Sequence, residues 1–308
     1  MSWQPATEAE CLESRCTPVA TVIVPKAKDI GAFEVRRALP SVERRAVGPF
    51  VFLDQFGPAT IKPGNMLDVR PHPHIGLATV SWLLDGEIMH RDSLGYAQVI
   101  RPGEVNWMTA GRGIVHSERT PEHLRGREST ILGVQAWLAL PADKQEIDPA
   151  FEHFPADCFP TIERDGATIH LIAGDAWGER SPVTLHSETF YAQIDLSSGA
   201  TAELPTAIEE RGIYLIDGTV EIAGETFEPG RLIVFKPGEP VWLETGTGTR
   251  MMALGGAPLD GPKERPRHLY WNFVSTSKER IEQAKDDWRN GRFGTVPGDE
   301  DEFIPLPD

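Results

Sequence analysis

The stretch Trp82-Leu83-Leu84-Asp85-Gly86 returns in altered form as Tyr214-Leu215-Ile216-Asp217-Gly218. Further on, Arg101-Pro102-Gly103-Glu104 returns as Glu228-Pro229-Gly230-Arg231, and Thr109-Ala110-Gly111 as Lys236-Pro237-Gly238. A repeat of this length, with its turns in the same order, requires one supersecondary design to be built twice. The segments between the turns, such as Leu77–Leu84, Ala97–Arg101 and Ile131–Leu140, are short and rich in β-branched or aromatic residues. They are bounded by Gly, Pro or Asp and show no long helical period, which predicts strands. The fold class expected is therefore all-β, as two β-barrels in one chain.

The expected division places an N-terminal barrel over 1–150 and a C-terminal barrel over 160–262. Between them runs the Pro/Asp/Glu-rich stretch Pro141–Pro160. A closing segment, 263–308, contains a helix over 278–290. Thr276-Ser277-Lys278-Glu279 has a capping-box pattern, and Ile281, Ala284 and Trp288 make an apolar stripe that ends before Gly291. Phe303-Ile304-Pro305-Leu306-Pro307 is too apolar for a free tail and is expected to dock. Asp299-Glu300-Asp301-Glu302 reads as a solvated acidic run.

Chemistry enters with His72-Pro73-His74 and His116-Ser117-Glu118. On a strand, residues i and i+2 point to the same face. Two neighbouring strands can thus converge three imidazoles and a carboxylate on one point, a ligand set for a first-row transition metal. Four protein ligands on an octahedral ion leave two positions for substrate or oxygen. The repeat supplies an internal control, because His72 and His74 fall on Leu204 and Thr206, and His116 and Glu118 on Leu243 and Thr245. All four ligands are missing from the second copy, so one metal per chain is expected, in the first barrel.

Gly76 and Ala78 are small neighbours expected to leave space over the metal. Gly111 and Gly113 permit the bend that turns His116 inward. Trp82, Trp107 and Met108 are candidates for an apolar substrate wall. His90, His123, His153, His170, His186 and His268 show no such pairing and read as ordinary histidines.

A formal net charge of −16 argues against direct nucleic-acid binding and against adhesion to anionic membranes. Cys11, Cys16 and Cys158 are too few for a disulfide framework and lack the second pair of a zinc site. The acidic, polar start MSWQPATEAE is no signal peptide, and no apolar run is long enough for a transmembrane helix, so the cytoplasm is expected. Neither a G-x-S-x-G elbow nor a Walker A sequence occurs, which argues against a serine hydrolase and a P-loop enzyme.

The run from His72-Pro-His-Ile-Gly to Asp85-Gly86, followed by Trp107-Met-Thr-Ala-Gly-Arg-Gly-Ile-Val-His-Ser-Glu118, closely resembles the pirin family of two-barrel cupins. Trp271-Asn-Phe-Val-Ser-Thr-Ser277 resembles the C-terminal region of bacterial pirins. The resemblance implies jelly-roll barrels and a non-haem metal, usually Fe(II), held by His72, His74, His116 and Glu118. It further implies quercetin 2,3-dioxygenase activity, which opens a flavonol ring with O2 and releases carbon monoxide. Glu118 would then accept the proton of the flavonol 3-hydroxyl. Several pirins have Arg after H-P-H where this chain has Ile75, which weakens any partner-binding role of a basic surface there. The alternative implied by animal pirins is a metal- and redox-sensing regulator that binds a partner protein without physiological flavonol turnover.

Overall fold

The computed structural model describes residues 10–12, 17–29, 34–64, 66–259 and 267–307. Cys16 and the first nine residues, on which two expectations fall, lie outside them. Strands dominate, and Lys278–Arg289 is the one α-helix among the described residues.

The first barrel joins a seven-stranded and a four-stranded sheet. In the larger, the strand order is Ala150–Phe154, Val105–Thr109, Leu77–Asp85, Ser129–Ala139, Phe50–Ile61, Glu34–Leu39 and Ala27–Asp29. In the smaller it is Asp68–His74, Ile114–Arg119, Ile88–Asp92 and Ala97–Ile100. The second barrel repeats the plan, with a four-stranded sheet running Thr201–Glu203, Trp242–Glu244, Val220–Ile222 and Glu225–Phe227. Its larger sheet centres on Glu210–Gly218, Thr249–Gly256 and Thr189–Leu196.

Turn chemistry explains why the repeated motifs survive. Leu77–Asp85 and Glu210–Gly218 both run into the repeated Asp-Gly, and Gly86 and Gly218 have φ of +84° and +72°. A Cβ at Gly86 would collide with the Thr130 carbonyl, and one at Gly218 with the Gly248 carbonyl. Only glycine tolerates both the backbone sign and the close approach.

Leu77–Leu83 is buried on both faces. Val80 and Trp82 face the second barrel, in a core shared with Ile172, Tyr191, Tyr214 and Leu254. The polar tips there are satisfied across the interface: Trp82 Nε1 donates to Gln193 Oε1 at 2.7 Å and Tyr214 OH to Gln55 Oε1 at 2.9 Å. Each fully buried aliphatic such as Val80 contributes roughly 2 kcal/mol by leaving water, so the two barrels hold each other along a continuous core.

Strand pairing crosses the expected boundaries at both ends. Val19–Val24 pairs with Leu232–Phe235 in the second barrel, although it lies within 1–150. The C-terminal hairpin His268–Tyr270/Phe273–Ser275 returns to the first barrel, where Val274 N donates to the Ile75 carbonyl at 3.1 Å. The helix follows it, burying Ile281, Ala284 and Trp288 against a cluster with Ile75, Val115, Trp271 and Phe273. Its N-cap is Ser277, whose hydroxyl accepts from Arg280 N, rather than Thr276; the Thr276 hydroxyl is taken by Gln145 Nε2 at 2.7 Å.

The acidic run is not simply solvated. Asp299 and Glu302 both pair with Arg119, and Ile304 N donates to the Pro71 carbonyl at 2.9 Å. Pro71 and Pro73 suit an edge strand, since they leave no donor for a further partner on the ladder. The docked tail covers that edge.

Candidate metal centre

His72 and His116 are Cα partners on adjacent antiparallel strands, and His74 shares the face of His72. The register shifts between His116 and Glu118, where a bulge puts Glu118 opposite Val69. All three rings are buried, with centroids 4.4 to 5.1 Å apart. One nitrogen from each lies within 4.8 Å of the others, which no other group of His, Cys, Asp or Glu achieves among the described residues.

The surroundings keep these rings neutral. Burial, reinforced by the neighbouring imidazoles, holds each pKa well below the ordinary 6.5. His72 Nδ1 donates to the Arg70 carbonyl at 2.8 Å, which leaves a lone pair on Nε2. Buried His74 Nδ1 and His116 Nε2 have no hydrogen-bond partner at all. Orphaned, neutral nitrogens are costly inside a protein unless something electrophilic meets them. Two such nitrogens, grouped with the lone pair of His72 Nε2, fit a divalent transition metal.

Sequence reasoning missed His90 and Asp92. His90 Nε2 donates to Asp92 Oδ2 at 3.0 Å, so its Nδ1 is left as an acceptor, 3.4 Å from His116 Nδ1. The proton of His116 therefore sits on Nδ1 and its lone pair on Nε2, the tautomer a metal needs. Asp92 is itself fixed by the Leu94 and Tyr96 amides at 2.9 and 3.1 Å. The signal was present, because His90-Arg91-Asp92 has the same i, i+2 spacing as the ligand pairs.

Glu118 is buried but stands outside the close histidine group, accepting from Ser81 Oγ at 3.3 Å. Of the expected substrate wall, only Met108 faces the barrel interior, in a cluster with Phe52, Trp137 and Phe151. Trp82 and Trp107 alternate to the opposite face and belong to the core between the barrels. Ala78 lies with them, and Gly76 makes room for the Val274 carbonyl rather than for a ligand. The aromatic surfaces near the histidines are Trp137, edge-on to His74 at 5.0 Å, and Phe151, stacked on His90 at 4.5 Å. Tyr96 extends the latter surface outward, 5.0 Å from Phe151. Ile75 is fully buried beneath the C-terminal hairpin, so this position offers no surface to a partner.

The second barrel supports the internal control and refines it. Ala202 pairs with Leu243 as His72 pairs with His116, so the counterparts of His72 and His74 are Ala202 and Leu204, two residues earlier than the sequence offset placed them. Ala202, Leu204 and Leu243 all lie in the apolar core of the second barrel.

Two barrels of one design, with a histidine triad in the first alone among the described residues, define a two-domain cupin protein. This chain belongs to the pirin family: the Pirin model matches residues 32–138, and the Pirin C-terminal cupin domain matches 191–294. It is 49% identical to a pirin-like protein of Caulobacter vibrioides over 92% of this chain and 97% of that one. Human pirin is 32% identical, across 87% of this chain and 90% of its own. Among solved structures, quercetin 2,3-dioxygenase from Acinetobacter baumannii superposes with a TM-score of 0.85 at 35% identity, covering 93% and 94% of the two chains. The Escherichia coli pirin YhhW, solved in complex with nickel(II), shares the fold at 17% identity, with a TM-score of 0.61 over 76% of this chain and 96% of that one.

Proposed function

We propose that this protein is a metal-dependent dioxygenase that cleaves flavonols such as quercetin with O2, releasing carbon monoxide. The observation that carries this reading is the buried triad of neutral histidines, two of them with an orphaned nitrogen, on the strand pair that also carries buried Glu118. The likeness to the Acinetobacter quercetin dioxygenase supports the choice of substrate.

His72, His74 and His116 would hold the metal, most simply Fe(II), with Glu118 as a fourth ligand. When bound, such an ion supplies Lewis acidity that favours the ionised form of a hydroxyl beside it. Glu118 accepts the proton of the flavonol 3-hydroxyl. Ser81 donates to one of its oxygens and leaves the other free to take that proton. Trp137, Met108 and Phe52 exclude water from the interior, while Phe151 and Tyr96 offer ring faces to a planar substrate. Atoms balance when one O2 enters, one carbon leaves as CO and a phenolic ester remains.

The test is oxygen uptake with quercetin, together with CO detection, after loading with Fe(II), Mn(II), Co(II) or Ni(II) in turn. Equimolar O2 consumption and CO release support the reading. No turnover with any metal overturns it and favours the partner-binding regulator, against which the burial of Ile75 already weighs.

A further inference from the structure

The second barrel has lost its histidines but keeps a cavity. It lies in the seam where the edge strand Thr201–Glu203 of the small sheet meets Thr161–Arg164 and Ala167–Ala176 of the large one, with a volume of about 320 Å³. Ala202 and Leu204, the counterparts of His72 and His74, contribute to its lining, with Ala167 and Ile169 opposite. We propose that this cavity is a second, metal-independent binding site, and that it takes a planar hydroxylated aromatic molecule.

Three observations point to that ligand class. Trp177 and Trp242 both line the cavity. Trp242 is 51% exposed, on the surface of a barrel that otherwise buries nearly all its large apolar side chains. Trp177 adopts φ +51°, a left-handed conformation unusual for a bulky residue, and is held there by its Nε1–H donating to the Glu203 carbonyl at 2.8 Å. Indoles at a cavity of this size favour a flat ring system.

The lining sorts by depth. Buried Ala167, Ile169, Ala202 and Leu204 exclude charge, whereas exposed Arg164, Asp165 and Glu203 stand at the mouth. Among the described residues none of these three side chains is engaged in an ion pair, so a guanidinium donor and two carboxylate acceptors are free for ligand hydroxyls. A ring that enters apolar edge first, with its hydroxyls outward, satisfies both zones. The absence of a metal ligand at Ala202 and Leu204 means that this barrel binds such a molecule without reacting with it.

The experiment titrates 7-hydroxycoumarin into metal-free protein and follows its fluorescence anisotropy. His74→Ala should retain one site with unchanged affinity, which separates this site from the triad whatever the outcome for flavonol turnover. Trp242→Ala, an exposed change that leaves the core intact, should weaken binding about tenfold, and Ala202→Phe, which fills the floor, should abolish it. Coumarin without the hydroxyl should bind more weakly. Loss of the site in His74→Ala, equal affinity in Trp242→Ala and wild type, or equal affinity for both coumarins would overturn the proposal.

Discussion

Arg119 and Asp299, 180 positions apart in the chain, meet as a bidentate pair, with Arg119 Nε and Nη2 donating to the two Asp299 oxygens at 2.9 and 2.8 Å. Arg119 directly follows Glu118, so this pair ties the tail to the strand that supplies His116 and Glu118. Glu302 adds a second carboxylate at 2.9 Å. Both members of the main pair are mostly buried, which places it above an exposed surface bridge in strength.

Burial pushes the Asp299 carboxyl up, but hydrogen bonding and charge from Arg119 outweigh it and hold it below the usual 3.8. Its contribution to stability is therefore complete above the unfolded value near 3.8 and is lost as pH falls through the lowered folded one. Asp299→Asn should cost about 1–2 kcal/mol at neutral pH. Hydrogen exchange should show faster opening of 299–306 in the variant at pH 7, and in the wild type only below about pH 4. Equal protection in the two proteins at pH 7 would contradict the role of the Arg119–Asp299 pair in holding the tail.

One metal per chain is expected, and elemental analysis after loading should find it. His74→Ala should weaken binding by more than about 100-fold, beyond the range of changes outside the ligand set. Two tightly held ions per chain would refute the reading of Ala202, Leu204 and Leu243 as an emptied copy.

His90→Ala and Asp92→Asn should each lower metal affinity about 10- to 100-fold, measured by chelator competition, because each frees the tautomer of His116. The double variant should be little worse than either single change if both act through His116 Nδ1. Additive losses would point to separate roles.

Glu118→Gln should keep most of its metal yet lose about 100-fold or more in flavonol turnover, the range expected for removing a general base. A full rate with metal in place would take Glu118 out of the proton path.

The sequence by itself determined the elements whose cause is local. Repeated Asp-Gly and Pro-Gly turns demand positive φ wherever they fall, and i, i+2 spacing on strands settles that His72 and His74 share a face. The stripe Ile281, Ala284, Trp288 likewise needed no partner to be read as one side of a helix. Alternation, however, says only that Trp82 and Ser81 face opposite ways. That Ser81 looks toward Glu118 and Trp82 into the second barrel depends on which sheet lies across each face. The same holds for the pairing of Val19–Val24 with Leu232–Phe235 and of Asp299 with Arg119, each across more than 150 residues, and for His90, which only the packing of Ile88–Asp92 beside Ile114–Arg119 brings to His116. Local pattern encodes orientation about the backbone, whereas the identity of the neighbour is set by long-range burial that no short window contains.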